Sequence, residues 1–202
     1  LGDVYKRQGE MLALPLDQDL AEMLATKHYC GVSACNLPEQ TVIGGLPNDL
    51  DNLLSELRED GSRLKSTRLQ TEGAFHTYYM VEAAINFRPF LEATKFDVVS
   101  SEIMSNFSGT FHKKDANAIR TNLFFQLFHP VLWHQTLSNI LPLDVTNIIE
   151  FGGCIVKVTQ PKDKKPYLAS IVKRTLRGLD NAPQYHAVIN QESLSKTIID
   201  LH

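Results

Sequence analysis

The residue best placed for chemistry is a histidine at the end of a strand-like run. Gly73-Ala74-Phe75-His76 directly follows a strand candidate, and loops at strand ends are where folds present reactive groups. A histidine there can take a proton from a nucleophile or give one to a leaving group. Alone, the tetrapeptide is a weak signal, because a partly buried structural histidine has the same local sequence. The nearest run to a Gly-x-Ser-x-Gly elbow is Gly31-Val32-Ser33-Ala34-Cys35. It lacks the second glycine that the tight strand-to-helix turn needs, and it leads into a turn and a strand. Ser33 is therefore not expected to be a nucleophile. Neither Cys35 nor Cys154 sits at a helix start beside a histidine, which argues against both.

Two more histidines lie in Phe128-His129-Pro130 and Trp133-His134. With no Glu or His partner at zinc-motif spacing, they read as capping or surface groups. Gly152-Gly153 follows a strand but lacks the Gly-x-Gly-x-x-Gly pattern of a dinucleotide site. Cys30, Cys35 and Cys154 are an odd count at wide spacing, so they read as reduced thiols of a cytosolic protein.

Positioning these residues requires a run of short elements. Met11 to Leu16 suits a strand. Asp17 can cap a helix with Leu20, Met23 and Leu24 on one face. Gly31–Ala34 and Thr41–Ile43 are short strands linked by Asn36-Leu37-Pro38-Glu39-Gln40. Asn48 or Asp49 caps a helix whose Leu50, Leu53, Leu54 and Leu57 form one apolar stripe, and Gly61 ends it. Arg63 to Leu69 alternates like an edge strand. The order β-α-β-β-α-β over residues 9–71 is the ferredoxin-like split pattern.

Beyond residue 71 the pattern changes. Tyr79–Ala93 reads as a helix that Pro89 kinks or splits. Glu102–Phe107 reads as a strand. Asp115 caps a helix with Ile119, Leu123 and Leu127 on one side, and Pro130 stops it. Leu132–Ile140 begins another helix. Asn147–Phe151 is a buried strand, and Tyr167–Leu176 is a last helix. Pro161-Lys162-Asp163-Lys164-Lys165-Pro166 is a basic surface loop. Alternating strands and helices suggest parallel α/β architecture over 72–178. Residues 179–202 are expected to be a weakly structured tail.

The chain has 202 residues with a net charge of −3, so it carries no electrostatic footprint for nucleic acid. No stretch reaches the roughly 18 apolar residues of a membrane span. It starts at Leu1, not Met, and residues 1–8 look like a translated cloning adaptor, which is set aside. The natural sequence is expected to begin near Gly9, within a longer protein.

Four segments, in order, resemble the malonyl-CoA:acyl-carrier-protein transacylase family. They are Asn36-Leu37-Pro38-Glu39-Gln40-Thr41-Val42-Ile43, then Gly73-Ala74-Phe75-His76 with Met80, then Gln126-Leu127-Phe128-His129-Pro130-Val131-Leu132-Trp133, and finally Ile149-Glu150-Phe151-Gly152-Gly153. The resemblance spans Gly9 to about Thr175. It implies a ferredoxin-like small subdomain inserted in an incomplete α/β-hydrolase-like large subdomain.

It also implies a ping-pong reaction through a seryl ester. Malonyl-CoA is the donor and the phosphopantetheine thiol of acyl carrier protein is the acceptor, without a separate cofactor or metal, in the cytoplasm, for fatty-acid or polyketide synthesis. On this resemblance His76 is general base and acid, and Gln126 supplies the carbonyl that orients it. Phe75 crowds the α-carbon and favours malonyl over α-branched units, and Asn36 lines the site. The family's Gly-His-Ser-x-Gly elbow, its carboxylate-binding arginine and its Gly-Gln-Gly-x-Gln loop are absent and are expected before Gly9. Leu37 and Glu39 depart from the family pattern. The residues left two other readings open, a non-catalytic carrier-protein-binding module and a trans-acting acyltransferase of a polyketide pathway.

Overall fold

The computed structural model describes residues 9–59, 61, 64–97, 99–153 and 164–202. The readings made of residues 1–8, of Arg63, of Cys154 and of the first half of the basic loop, residues 161–163, lie outside these. The chain divides into two compact units, one running to Asn139 and the other Ile140–His202.

The first unit is built on an antiparallel sheet. Strand β1 (Glu10–Leu14) leads to helix α1 (Gln18–Lys27), and β2 (Gly31–Leu37) turns into β3 (Gln40–Gly45). Helix α2 (Pro47–Glu59) then leads to β4 (Thr67–Leu69), and the strand order is β2-β3-β1-β4. The β2–β3 turn is tighter than the sequence suggested. Leu37 already pairs with Gln40, leaving only Pro38 and Glu39 between the strands. Asp17 caps α1 as expected, its carboxylate accepting from the Leu20 amide at 2.8 Å.

One sheet face and two helices share a core. Leu12, Leu14 and Ile43 of the sheet pack with Leu24 of α1 and Leu50, Leu53 and Leu57 of α2. The leucines of α2 recur at helical spacing, which puts them on one stripe. In α1 the buried stripe is Ala21, Leu24 and Ala25, whereas Leu20 and Met23 are 37% and 60% exposed. The expected face was off because the small alanines, not the long side chains, let α1 approach the sheet. The opposite sheet face buries Met11, Ala34 and Val42, with Val131 packed against them.

After β4 the chain forms a short 3-10 turn, Tyr78–Met80, and helix α3 (Val81–Ala93). Pro89 neither splits nor ends α3. It frees the Ile85 carbonyl, but residues 85–90 are exposed, so water can satisfy it. The expected strand over Glu102–Phe107 is not present. A single bridge joins Met104 to Phe111, and Gly109 closes a turn onto the Ser105 carbonyl at 2.8 Å. Ser105, Asn106, Ser108 and Gly109 are turn formers, which cuts the extended run short. Helices α4 (Ala116–Gln126) and α5 (Trp133–Ile140) follow, with Asp115 capping α4 through the Ala118 amide at 2.8 Å.

The second unit contains a parallel pair. Strand β5 (Asn147–Phe151), helix α6 (Ala169–Thr175) and strand β6 (Gln184–Val188) are followed by helix α7 (Gln191–Asp200). Residues 179–202 are thus not a weakly structured tail. Tyr185 and His186 of β6 find polar partners on Glu150 and Asn147 of β5, so the polar side chains of this strand are accommodated. Asn190 and Ser193 form a capping box that starts α7. Glu150, 9% exposed, accepts from the Tyr167 amide at 2.6 Å and the Leu168 amide at 3.0 Å, just before α6. Burial, with the Glu150 carboxylate beside it, pushes the Tyr185 phenol above its usual pKa.

Leu53 is fully buried between α2 and the sheet. Leu53→Ala is expected to cost about 2–5 kcal/mol of unfolding free energy in a urea titration. A cost below about 1 kcal/mol would contradict this core.

Candidate active site

His76 lies on the turn between β4 and the 3-10 helix, with φ at +61°. A non-glycine residue there carries strain of about 1 kcal/mol or more, so the surroundings must hold it. Thr77, 2% exposed, does much of this. Its hydroxyl donates to the Ala74 carbonyl at 2.6 Å.

The turn is seated on two glycines that face each other across β2 and β3, Gly31 and Gly44. A Cβ on Gly44 would lie 2.6 Å from Ser33 Oγ, 3.1 Å from Thr77 Cγ2 and 3.2 Å from Ala74 Cα. A Cβ on Gly31 would lie 3.0 Å from Thr77 Cβ. Side chains at these positions would push the histidine turn off the sheet.

The His76 ring meets the end of α4. Its Nδ1 is 2.8 Å from the carbonyl oxygen of Gln126, the last residue of that helix. A carbonyl can only accept, so Nδ1 carries the proton of the neutral ring and Nε2 keeps a free lone pair. The carbonyl is available for a local reason. Its i+4 residue is Pro130, which has no N–H to donate. The Gln126 side chain closes the turn by donating to the His129 carbonyl at 3.1 Å.

Beyond Pro130, Val131 docks on the open edge of β2. Its amide donates to the Ser33 carbonyl, and its own carbonyl accepts from the Cys35 amide, both at 2.9 Å. Strand β2 therefore carries part of the histidine's seat and also anchors the segment that follows Gln126.

Of the residues singled out from sequence, the structure brings His76 and Gln126 into direct contact. Phe75 precedes the histidine and is 40% exposed. Asn36 is half-buried on β2, with no hydrogen bond to either residue. Ser33 is fully buried in the middle of β2 and its hydroxyl has no partner among the described residues, so solvent does not reach it. Burial pushes the Cys30 thiol up to about 12, helped by Asp49, and the Cys35 thiol up to about 11, helped by Glu22. Both stay protonated near neutral pH and are poor nucleophiles.

His129 caps the Phe125 carbonyl through Nδ1 at 2.9 Å, within a cluster of Phe107, Phe124, Phe125 and Phe128. His134 lies on α5 with an Nδ1 that is buried and has no partner among the described residues, so it is not a plain surface group. Among the described residues no cluster of three or more His, Cys, Asp or Glu could hold a metal ion. Sequence reasoning missed Thr77, the glycine pair and the part Pro130 plays in leaving the Gln126 carbonyl free. Only Pro130 had a readable signal, a proline four residues after the carbonyl that must stay free.

An imidazole steered by a main-chain carbonyl, with Nε2 unblocked by that bond, can accept a proton at Nε2. The fold is the α/β acyltransferase fold. The malonyl-CoA-acyl carrier protein transacylase structure from Streptococcus pneumoniae matches with a TM-score of 0.80 at 22% identity, covering 98% of this chain and 60% of that one.

In sequence the chain is similar to malonyl-CoA:acyl-carrier-protein transacylases. It is 25% identical over 151 residues to the polyketide-biosynthesis malonyl CoA-acyl carrier protein transacylase of Bacillus velezensis, which is 68% of this chain and 52% of that protein. It is 29% identical over 117 residues to the malonyl CoA-acyl carrier protein transacylase of Bacillus subtilis, 58% of this chain and 36% of that protein. The matches thus span about half or less of these relatives' lengths. No protein-family model matches the chain.

Two measurements test the site. Ring ¹⁵N shifts of His76, assigned with His76→Ala, are expected to report the Nδ1–H tautomer at a pH where the ring is neutral. A dominant Nε2–H form would break the geometry described. Cys30 and Cys35 are expected to resist a thiol reagent at pH 8 until the chain is unfolded, with peptide mapping separating them from Cys154. Labelling of either within minutes in the native state would contradict their burial.

Proposed function

We propose that these residues form the proton-transfer half of a malonyl-CoA:acyl-carrier-protein transacylase. The observation that carries this reading is the 2.8 Å bond from His76 Nδ1 to the Gln126 carbonyl. It leaves Nε2 to take the proton of a serine as its oxygen attacks the malonyl thioester. The C–S bond then breaks, the coenzyme A thiol leaves with a proton from the imidazolium, and the malonyl group rests on serine as an ester. The phosphopantetheine thiol of acyl carrier protein attacks that ester in the second half. His76 takes the thiol proton and returns one to the serine oxygen.

Gln126 stabilises the imidazolium by keeping its carbonyl on Nδ1–H. Phe75 narrows the space beside the α-carbon. An α-methyl branch is then disfavoured by about 1–3 kcal/mol, the scale of a methylene clash. Asn36 lines the site from the hairpin end of β2. We read residues 9–71 as a ferredoxin-like small subdomain, because the sheet order β2-β3-β1-β4 with two helices on one face fits that pattern. Residues 72–178 then read as part of an α/β-hydrolase-like large subdomain that extends through β6 and α7. The setting is cytoplasmic, and the pathway is fatty-acid or polyketide synthesis.

No Gly-His-Ser-x-Gly run occurs in the 202 residues, so the nucleophile would come from outside them. These residues alone are expected to transfer no malonyl group from coenzyme A to carrier protein above a His76→Ala control. In a full-length enzyme that includes them, His76→Ala is expected to lower kcat by on the order of 10³-fold or more. Nucleotide sequence upstream of Gly9 that encodes a Gly-His-Ser-x-Gly elbow supports the reading. A start codon near Gly9 would instead favour a non-catalytic carrier-protein-binding module.

A further inference from the structure

At the end of α4 the carbonyls of Phe124, Phe125 and Gln126 are each answered differently. The Phe124 carbonyl takes the Leu127 amide at 3.4 Å. The Phe125 carbonyl takes the Phe128 amide at 3.2 Å and the His129 ring at 2.9 Å. The Gln126 carbonyl takes the His76 ring, 50 residues away in sequence, at 2.8 Å. A main-chain amide at position 130 is the natural donor to Gln126 in a continuing helix, and position 130 is a proline.

We infer that Pro130 is a positioning residue for His76: by withholding the one main-chain donor in register with the Gln126 carbonyl, it reserves that carbonyl for the imidazole and so sets the ring's tautomer. The inference rests on the reading of His76 as the base, and it adds a reason why a helix end can serve as the steering group in place of a carboxylate.

Two further features depend on the same residue. Proline disfavours helical backbone at the residue before it, so α4 cannot run on through His129. The chain leaves the helix there, and Val131 reaches β2, where it makes its two 2.9 Å bonds. The Gln126 side chain holds the turn through the His129 carbonyl at 3.1 Å. If residue 130 had an N–H, α4 could close one more turn on the Gln126 carbonyl. A second donor would then compete with Nδ1–H for it, and residues 127–130 would be drawn away from β2. With the carbonyl shared, the ring loses its preference for the Nδ1–H form, and the Nε2–H form, useless as a base at Nε2, gains population.

The test uses the 202-residue chain and the ring ¹⁵N shifts of His76, so it needs no activity. Position 130 is changed to alanine and, by nonsense suppression, to lactic acid. These two differ only in having N–H or an ester oxygen. Pro130→Ala is expected to raise the Nε2–H fraction several-fold over the wild type, and the lactic acid variant to keep the wild-type tautomer. Pro130→Gly restores the N–H with less drive to extend the helix, and serves if the alanine variant does not fold. If the N–H variants keep the wild-type tautomer, or the lactic acid variant shifts as far as they do, the inference fails while the reading of His76 stands. A wild-type ring that is not Nδ1–H overturns both.

Discussion

The candidate site of the first unit turns on one hydrogen bond, from the His76 ring to the Gln126 carbonyl, and that bond depends on everything around it. It joins residues 50 apart in sequence at 2.8 Å, and a bond of this kind is worth only about 1 kcal/mol net. It cannot hold two chain segments together on its own. The segments must already be close, and the ring then gains its orientation at little further cost. The surrounding architecture supplies that proximity.

Strand β2 does most of the holding. Gly31 on β2 and Gly44 on β3 leave space for Thr77 and Ala74, and the edge of β2 takes up Val131. The histidine turn and the segment after α4 are therefore both referred to one strand. That strand is stiff because its sheet shares a core with two helices, through Leu12, Leu14 and Ile43 against Leu24, Leu50 and Leu53. Packed leucines thus fix the sheet, the sheet fixes the turn, and the turn tolerates a left-handed histidine. The strain at His76, about 1–3 kcal/mol, is of the order of one buried leucine, roughly 1.5–3 kcal/mol, so a core of several leucines outweighs it.

The second unit solves a different problem by similar means. Glu150 is a buried carboxylate, and burying a charge is costly unless it is well bonded. It receives the Tyr167 and Leu168 amides and the Tyr185 hydroxyl. The amides stand just before α6, where free N–H groups accumulate and anions are favoured. One side chain thereby links β5, β6 and the start of α6, and the parallel pair has a polar tie as well as its ladder.

Much of the small antiparallel unit was legible from local pattern. The leucine stripe of α2, the Asp17 cap and the strand runs each depend on neighbours within a few residues, and local periodicity reports such neighbours. His76 was legible as a candidate because a histidine after a strand is a local feature, and its pairing with Gln126 came only through family resemblance. Where local pattern fell short, the surroundings of each element decided. Pro89 stays inside α3 because that stretch faces water, and β6 forms because Glu150 and Asn147 satisfy its polar side chains. Which face of α1 is buried depended on how closely it approaches the sheet. The sequence by itself determined the residue types, the spacing and even the missing N–H at Pro130. Only the tertiary structure decided that the free carbonyl would face an imidazole, because a hydrogen bond of under 3 Å between remote segments exists only once β2 has brought both to the same place.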